Sequence, residues 1–306
     1  MPRKIFLILI FIIIAIISFL IITFQFPTEK PELSSNISEN AYKISAIELP
    51  QEIDFSGEVT PLNIFYVNES LDKELTINTY WHSSTLLLLK RSARWFPVIE
   101  PILKKNGIPN DFKYLALIES GLENVTSPAG AKGFWQFLKG TAKDYGLEVN
   151  NEVDERYNAE KATQAACEYF NKAHEKYKNW TLVAAAFNAG NKGIDRQIEK
   201  QKINNYYSLL LADETERYVF RILALKTIFE NPEKYNFYLN KNDLYSPIPT
   251  KTIEVKSSIK NLADFAIENG INYRILKEFN PWLRTGELKN NKRKTYEIKI
   301  PVKQFN

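Results

Sequence analysis

The feature that most narrows what this chain can fold into is the stretch at residues 115–136, LALIESGLENVTSPAGAKGFWQ. Phe112, Leu115 and Ile118 share one face of a short apolar helix. Asn110 and Asp111 precede it as N-cap candidates, and Gly121 follows as its stop. A Gly/Ser/Pro-rich turn comes next, then the aromatic run Gly133, Phe134, Trp135, Gln136, Phe137. Glu119 falls in the last helical turn beside Leu117 and Ile118. The negative end of the helix dipole and partial desolvation both disfavour its carboxylate, so its pKa is expected to rise. A carboxylic acid still protonated near neutral pH is a general acid. The alternative is a capping or surface glutamate with no chemistry.

The rest of the chain divides by composition. Residues 5–24 form an apolar run with Ser18 and Thr23 as its only polar side chains, preceded by Arg3 and Lys4. Twenty helical residues span about 30 Å, the thickness of a bilayer core. The basic flank keeps the N-terminus cytoplasmic and sends the remainder across. An uncleaved signal anchor over residues 1–26 is favoured over a cleaved signal peptide, because the run is long and no small-x-small site follows it. Residues 27–70 read as a polar tether with Pro27, Pro31 and Pro50. Helical clusters begin near Leu71, are broken at Pro97 and end at Gly107, Ile108 and Pro109. Trp81, residues 86–89, Trp95 and Phe96 read as core.

Further on, Asn158 starts a helix with the stripe Ala162, Ala165, Ala166, Tyr169, Phe170, Ala173 and Tyr177. Its alanines admit a close neighbour, as at the centre of a bundle. Thr181 opens the next helix, stopped by Gly190, and Asp213 with Glu216 makes a capping-box-like start to a third. A linker over residues 236–250 leads to a segment of different character, residues 251–306. It reads as strand, helix, helix closed before Asn280 and Pro281, and an alternating strand on Tyr296, Ile298 and Ile300.

Composition excludes several chemistries. Cys167 is the only cysteine, and His82 and His174 are the only histidines, so no disulfide framework or Cys/His metal cluster is available. No metal and no cofactor is expected. The net charge of +4 is too weak to argue for nucleic acid. Twelve Lys/Arg against six Asp/Glu fall at or beyond Lys251, as a solvated basic face or an attraction to anionic cell-wall peptides. No G-x-S-x-G, P-loop or dinucleotide fingerprint is present.

Four motifs in order, E-S-G, S-P-A-G-A-K-G-F-W-Q-F, T-A-K-D-Y-G-L and A-A-F-N-A-G, resemble the lytic transglycosylases with a soluble-lytic-transglycosylase, goose-lysozyme-like domain. Within that family the likeness is to the membrane-bound murein transglycosylases of the D type. It covers residues 71–235. The resemblance implies a mainly α, lysozyme-like domain. Its reaction would cut peptidoglycan strands between N-acetylmuramic acid and N-acetylglucosamine without water, leaving 1,6-anhydro ends. One glutamate, Glu119, would serve as acid and then base. An intramolecular C6 hydroxyl has a large entropic advantage over water, so a second carboxylate is dispensable.

Carried over by position, Ser127 matches the family serine that contacts the glutamate or the sugar N-acetyl group. Gly133 and Gln136 match the Gly-Leu-Met-Gln segment, with Trp135 where Met is common, either stacking on a sugar or packing in the core. Asn188 matches the cleft asparagine of Tyr-Asn-Ala-Gly, with Phe187 in place of the tyrosine. Tyr218 matches the tyrosine of E-T-x-x-Y-V, which would bond Glu119. The β-α-α-β tail resembles the LysM module that binds N-acetylglucosamine chains. Ser257, Ser258, Ile259 and Lys260 replace its Gly-Asp-Thr-Leu turn, which leaves glycan binding and a purely structural cap as alternatives.

A hydrolytic glycosidase usually employs two carboxylates, one acid and one nucleophile or base. The nearest other acids in sequence are Glu123, Asp144, Asp154 and Glu155, in stretches that read as turns or helix ends. The expectation is therefore an inner-membrane protein with a periplasmic catalytic domain. The rivals are a hydrolytic muramidase and a catalytically idle peptidoglycan-binding protein.

Overall fold

The first strands among the described residues, β1 (Asp54–Phe55) and β2 (Glu58–Val59), form a β-hairpin inside the stretch expected as a tether. The structure, a computed structural model, describes residues 44–303. The expected anchor at residues 1–26 lies outside them. Among the described residues no helix is long and apolar enough to cross a membrane.

The hairpin is fastened by chemistry that its composition conceals. Phe55 is fully buried against Phe112, ring centres 5.3 Å apart. The Glu58 carboxylate accepts the amides of Trp180 and Thr181, capping a helix whose dipole favours an anion there. Asp111 does not cap as expected. It accepts the Ser56 amide at 2.7 Å and the Lys226 ammonium at 2.8 Å, tying the hairpin to the last long helix.

The helical body comprises α1 (Phe65–Tyr80), α2 (His82–Lys105), α3 (Lys113–Ser120), α4 (Lys139–Asp144), α5 (Ala159–Tyr177), α6 (Trp180–Ala189), α7 (Asn191–Gln201) and α8 (Asp213–Glu230). The helices start at Phe65, not Leu71. The break expected at Pro97 is at Trp81, and α2 runs through both Pro97 and Pro101. Both rings lie on the exposed side four residues apart, where water satisfies the carbonyls that proline leaves free. Trp81 is correspondingly not core; it is 65% exposed, and Leu86 and Leu87 are partly open.

The alanine stripe of α5 is buried along its whole length beside α6, which is itself apolar all round. Asn158 caps α5 through the Lys161 amide, and Asn179 caps α6 through Leu182. The cap of α8 is Ala212, so the expected box at Asp213 and Glu216 does not form. Asp213, Glu214 and Glu216 instead fill its first turn, where the dipole favours them.

The C-terminal segment is β3 (Thr250–Val255), α9 (Leu262–Glu268), α10 (Tyr273–Phe279) and β4 (Tyr296–Pro301), with β3 antiparallel to β4 from Thr250↔Pro301 to Val255↔Tyr296. Tyr296, Ile298 and Ile300 point into a separate small core, as the alternation predicts. The basic excess of this module is used in a way the sequence did not suggest. Lys289, Lys294 and Lys299 pair with Glu152, Glu148 and Glu160 of the helical body. The linker before it is pinned to α2, with the Tyr245 amide on the Lys90 carbonyl and Arg94 Nε on the Ser246 carbonyl.

Candidate active site

Glu119 lies in the last turn of α3. Gly121, at φ 62°, ends that helix in the left-handed region and sends the chain back over it. Across the gap α8 presents Tyr218, 1% exposed, whose hydroxyl donates to Glu119 Oε1 at 2.6 Å. Arg221, one turn further along α8, donates to the Ile118 carbonyl at 3.3 Å. Burial pushes the Glu119 carboxyl up to about 7, with Glu214 adding to the rise; the Tyr218 bond and Arg221 oppose it without overcoming it. The Tyr218 phenol is held well above its ordinary value by burial and then by Glu119. A substantial fraction of the carboxyl groups therefore still carries a proton near neutral pH, while the phenol stays protonated.

The turn at residues 125–137 folds into a closed bracket. Thr126 pairs with Lys132 and Lys132 with Phe137 in isolated bridges, and Ser127 Oγ accepts the Ala131 amide at 3.1 Å. Gly133, at φ 75°, is obligatory: a Cβ there would lie 1.8 Å from the Arg156 carbonyl oxygen. Gln136 also has positive φ, 47°, and its amide nitrogen donates to the Gly133 carbonyl at 2.7 Å.

These contacts divide the residues singled out from sequence. Glu119, Ser127, Trp135, Gln136, Phe187, Asn188 and Tyr218 all border one cleft of about 600 Å³. Gly133 does not line it and acts through the shape of the turn. Trp135 resolves to core packing. Its ring is 1% exposed, its indole N–H donates to Thr163 Oγ1 at 2.9 Å, and Phe170 lies edge-on at 5.6 Å, so no face is open to a sugar. Phe187 joins the same aromatic cluster, 5.3 Å from Tyr169 and 5.8 Å from Phe137. Asn188 Oδ1 accepts the Thr215 hydroxyl at 2.8 Å, and its amide reaches Glu214 at 3.3 Å.

Two charged cleft residues escaped the sequence reading, Glu214 and Arg221. The signal was available. Glu214 and Tyr218 are four apart and Tyr218 and Arg221 three, so all share one face of α8. None of the four acids considered from sequence faces Glu119 across this cleft. Glu123 pairs with Arg91 at 3.1 Å, Asp154 is buried against Arg156, Glu155 pairs with Lys161, and Asp144 does not line the cleft. A separate cavity of about 400 Å³ lies at the seam with the C-terminal module beside Trp95, Phe134 and Trp282, but the acid–phenol pair is not in it.

The sequence that supplies α3, the turn at residues 125–137 and α6 is similar to known proteins. Residues 96–210 match the transglycosylase SLT domain. Residues 251–304 match the soluble lytic transglycosylase C-terminal LysM-like domain. Over 228 residues, 72% of this chain, the sequence is 28% identical to the membrane-bound lytic murein transglycosylase D of Escherichia coli K12 and equally to that of Escherichia coli O6:H1. The chain spans about half the length, 49%, of these relatives. The SLT match ends before α8, so Tyr218, Glu214 and Arg221 join the SLT segment only through the fold.

Proposed function

We propose that this chain is a peptidoglycan lytic transglycosylase, with Glu119 as its single acid and base. The observation that carries the reading is a carboxyl group raised to about 7 and hydrogen-bonded by the buried Tyr218 at the floor of the cleft. In this role Glu119 gives its proton to the oxygen bridging N-acetylmuramic acid and N-acetylglucosamine as the bond to C1 breaks. The carboxylate left behind then takes the proton of the C6 hydroxyl as that oxygen attacks C1, closing the 1,6-anhydro ring and restoring the acid. No water enters, and the proton count closes on Glu119. Ser127 and Asn188 would hold the sugar substituents, and the N-terminal apolar run would keep the domain at the periplasmic face of the inner membrane.

Glu214 supports a second reading, hydrolysis, because it is another carboxylate on the same cleft. Its engagement with the Asn188 amide and the similarity to lytic enzymes favour the non-hydrolytic route. The experiment digests purified sacculi with wild type, Glu119→Gln and Glu214→Gln and analyses the sugars by mass spectrometry. The expected result is products lacking one water from wild type and Glu214→Gln. Glu119→Gln should lose at least ~100-fold in rate. Reducing-end products abolished by Glu214→Gln would replace this reading with hydrolysis. Sacculi bound but uncut by every protein would leave a binding role.

A further inference from the structure

Residues 152–157 lie between the turn that walls the cleft and the C-terminal module, and they grip both. On the cleft side, Arg156 is 4% exposed. The Asp154 carboxylate takes its Nε at 2.8 Å and Nη2 at 2.7 Å, which fixes the guanidinium plane. Nη1 is left to donate to two main-chain carbonyls, Gly130 at 3.2 Å and Phe137 at 3.1 Å. Those carbonyls flank the segment carrying Ala131, Trp135 and Gln136 of the cleft wall. Gly133 rests on the Arg156 carbonyl, and the Tyr157 hydroxyl meets Thr126 Oγ1 at 3.0 Å, where the turn begins.

On the module side, the Asp154 amide donates to the Trp282 carbonyl at 2.9 Å and the Arg284 amide to the Glu152 carbonyl at 2.7 Å. Val153 is buried within the module's own core, and the Arg284 guanidinium lies 4.2 Å from the centre of the Tyr157 ring. A buried guanidinium is tolerated only when its charge and its N–H groups are answered. Here the answers come from the cleft turn and from Asp154, and the module backs Asp154.

We infer that Arg156 is a positioning residue for the glycan cleft and that the C-terminal module is the brace that holds it there. The inference rests on the proposed cleavage by Glu119. A module joined only as a glycan-binding appendage would need none of these contacts to the cleft turn.

The test uses the full chain with three changes, Arg156→Gln, Arg156→Lys and a module-side pair, Glu152→Ala, which removes the carboxylate that accepts the Lys289 amide, with Arg284→Ala, which removes the guanidinium over Tyr157. Sacculus digestion gives kcat and KM, and hydrogen–deuterium exchange follows residues 125–137. Arg156→Gln should lower kcat/KM by about 10-fold or more and speed exchange in the turn while α1 and α8 stay protected. Arg156→Lys should recover part of both, since an ammonium still reaches one carbonyl. The module-side pair should move both readouts the same way, by ~3-fold, with an unchanged Tm. Activity that falls only with the folded fraction, with turn exchange unaltered, would overturn the positioning role. Faster exchange confined to the module in the Glu152/Arg284 variant would overturn the brace. Should Arg156→Gln not fold, that pair still decides. Should wild type cleave nothing, the cleavage reading falls while turn exchange still reports on the clamp.

Discussion

The 2.6 Å bond between Tyr218 and Glu119 joins two residues 99 positions apart and sets the chemistry of the cleft. Because the phenol donates to the carboxylate, it lowers a pKa that burial raises. In Tyr218→Phe that opposition disappears. The alkaline limb of the rate profile, expected near pH 7 for wild type, should move to higher pH. The rate at the optimum should drop by ~10–100-fold, because the carboxyl group is no longer held in place. A pH profile of sacculus digestion measures both. An unshifted limb would mean that another group titrates. At this scale Glu119 was legible as a raised acid from its helix end and apolar neighbours. Glu214 and Arg221 were not singled out, because a charged helix face most often means solvent. Trp135 was legible only as aromatic, since the same ring serves stacking or core until its neighbours are known.

The turn at residues 125–137 behaves as one element, with its shape set by three positive-φ positions, Gly130, Gly133 and Gln136, and a close backbone approach. Gly133→Ala tests it. The added Cβ meets a main-chain oxygen at 1.8 Å and cannot be relieved by a rotamer change, so the turn or the 154–157 segment must move. Stability should fall by roughly 3 kcal/mol, read from urea unfolding, with activity lost even where the chain is folded. Gly140→Ala, with nothing within 4 Å of its Cβ, is the control and should be near neutral. Periodicity located α5, α6 and α8 because each buries a stripe that repeats with the helix. It misjudged α2, where proline rings on the wet face do not interrupt the buried one.

The whole molecule feels the same acid. A carboxyl group whose folded pKa is raised binds its proton more tightly when folded, so its stabilising contribution is present at low pH and is lost as pH rises from about 4.5 to about 7. Glu119→Gln carries no such penalty. It should match wild type near pH 4 and exceed it at pH 8 by roughly 2 kcal/mol, less than the whole shift converts to because the side chain keeps some exposure to the cleft. Thermal unfolding across pH measures this, and equal curves at pH 8 would mean an ordinary carboxylate. The sequence by itself determined the helical class, the β-α-α-β tail and the short list that includes Glu119, Asn188 and Tyr218, because periodicity, turn chemistry and motif order are local. Only the tertiary structure decided that Asp111 is an anchor rather than a cap, that residues 54–59 are docked rather than tethering, and that the tail's lysines pair with Glu148, Glu152 and Glu160. Each of those outcomes is an ion pair or cap between residues far apart in the chain. A charged side chain looks the same in sequence whether its partner is water or a carboxylate that the fold brings to it.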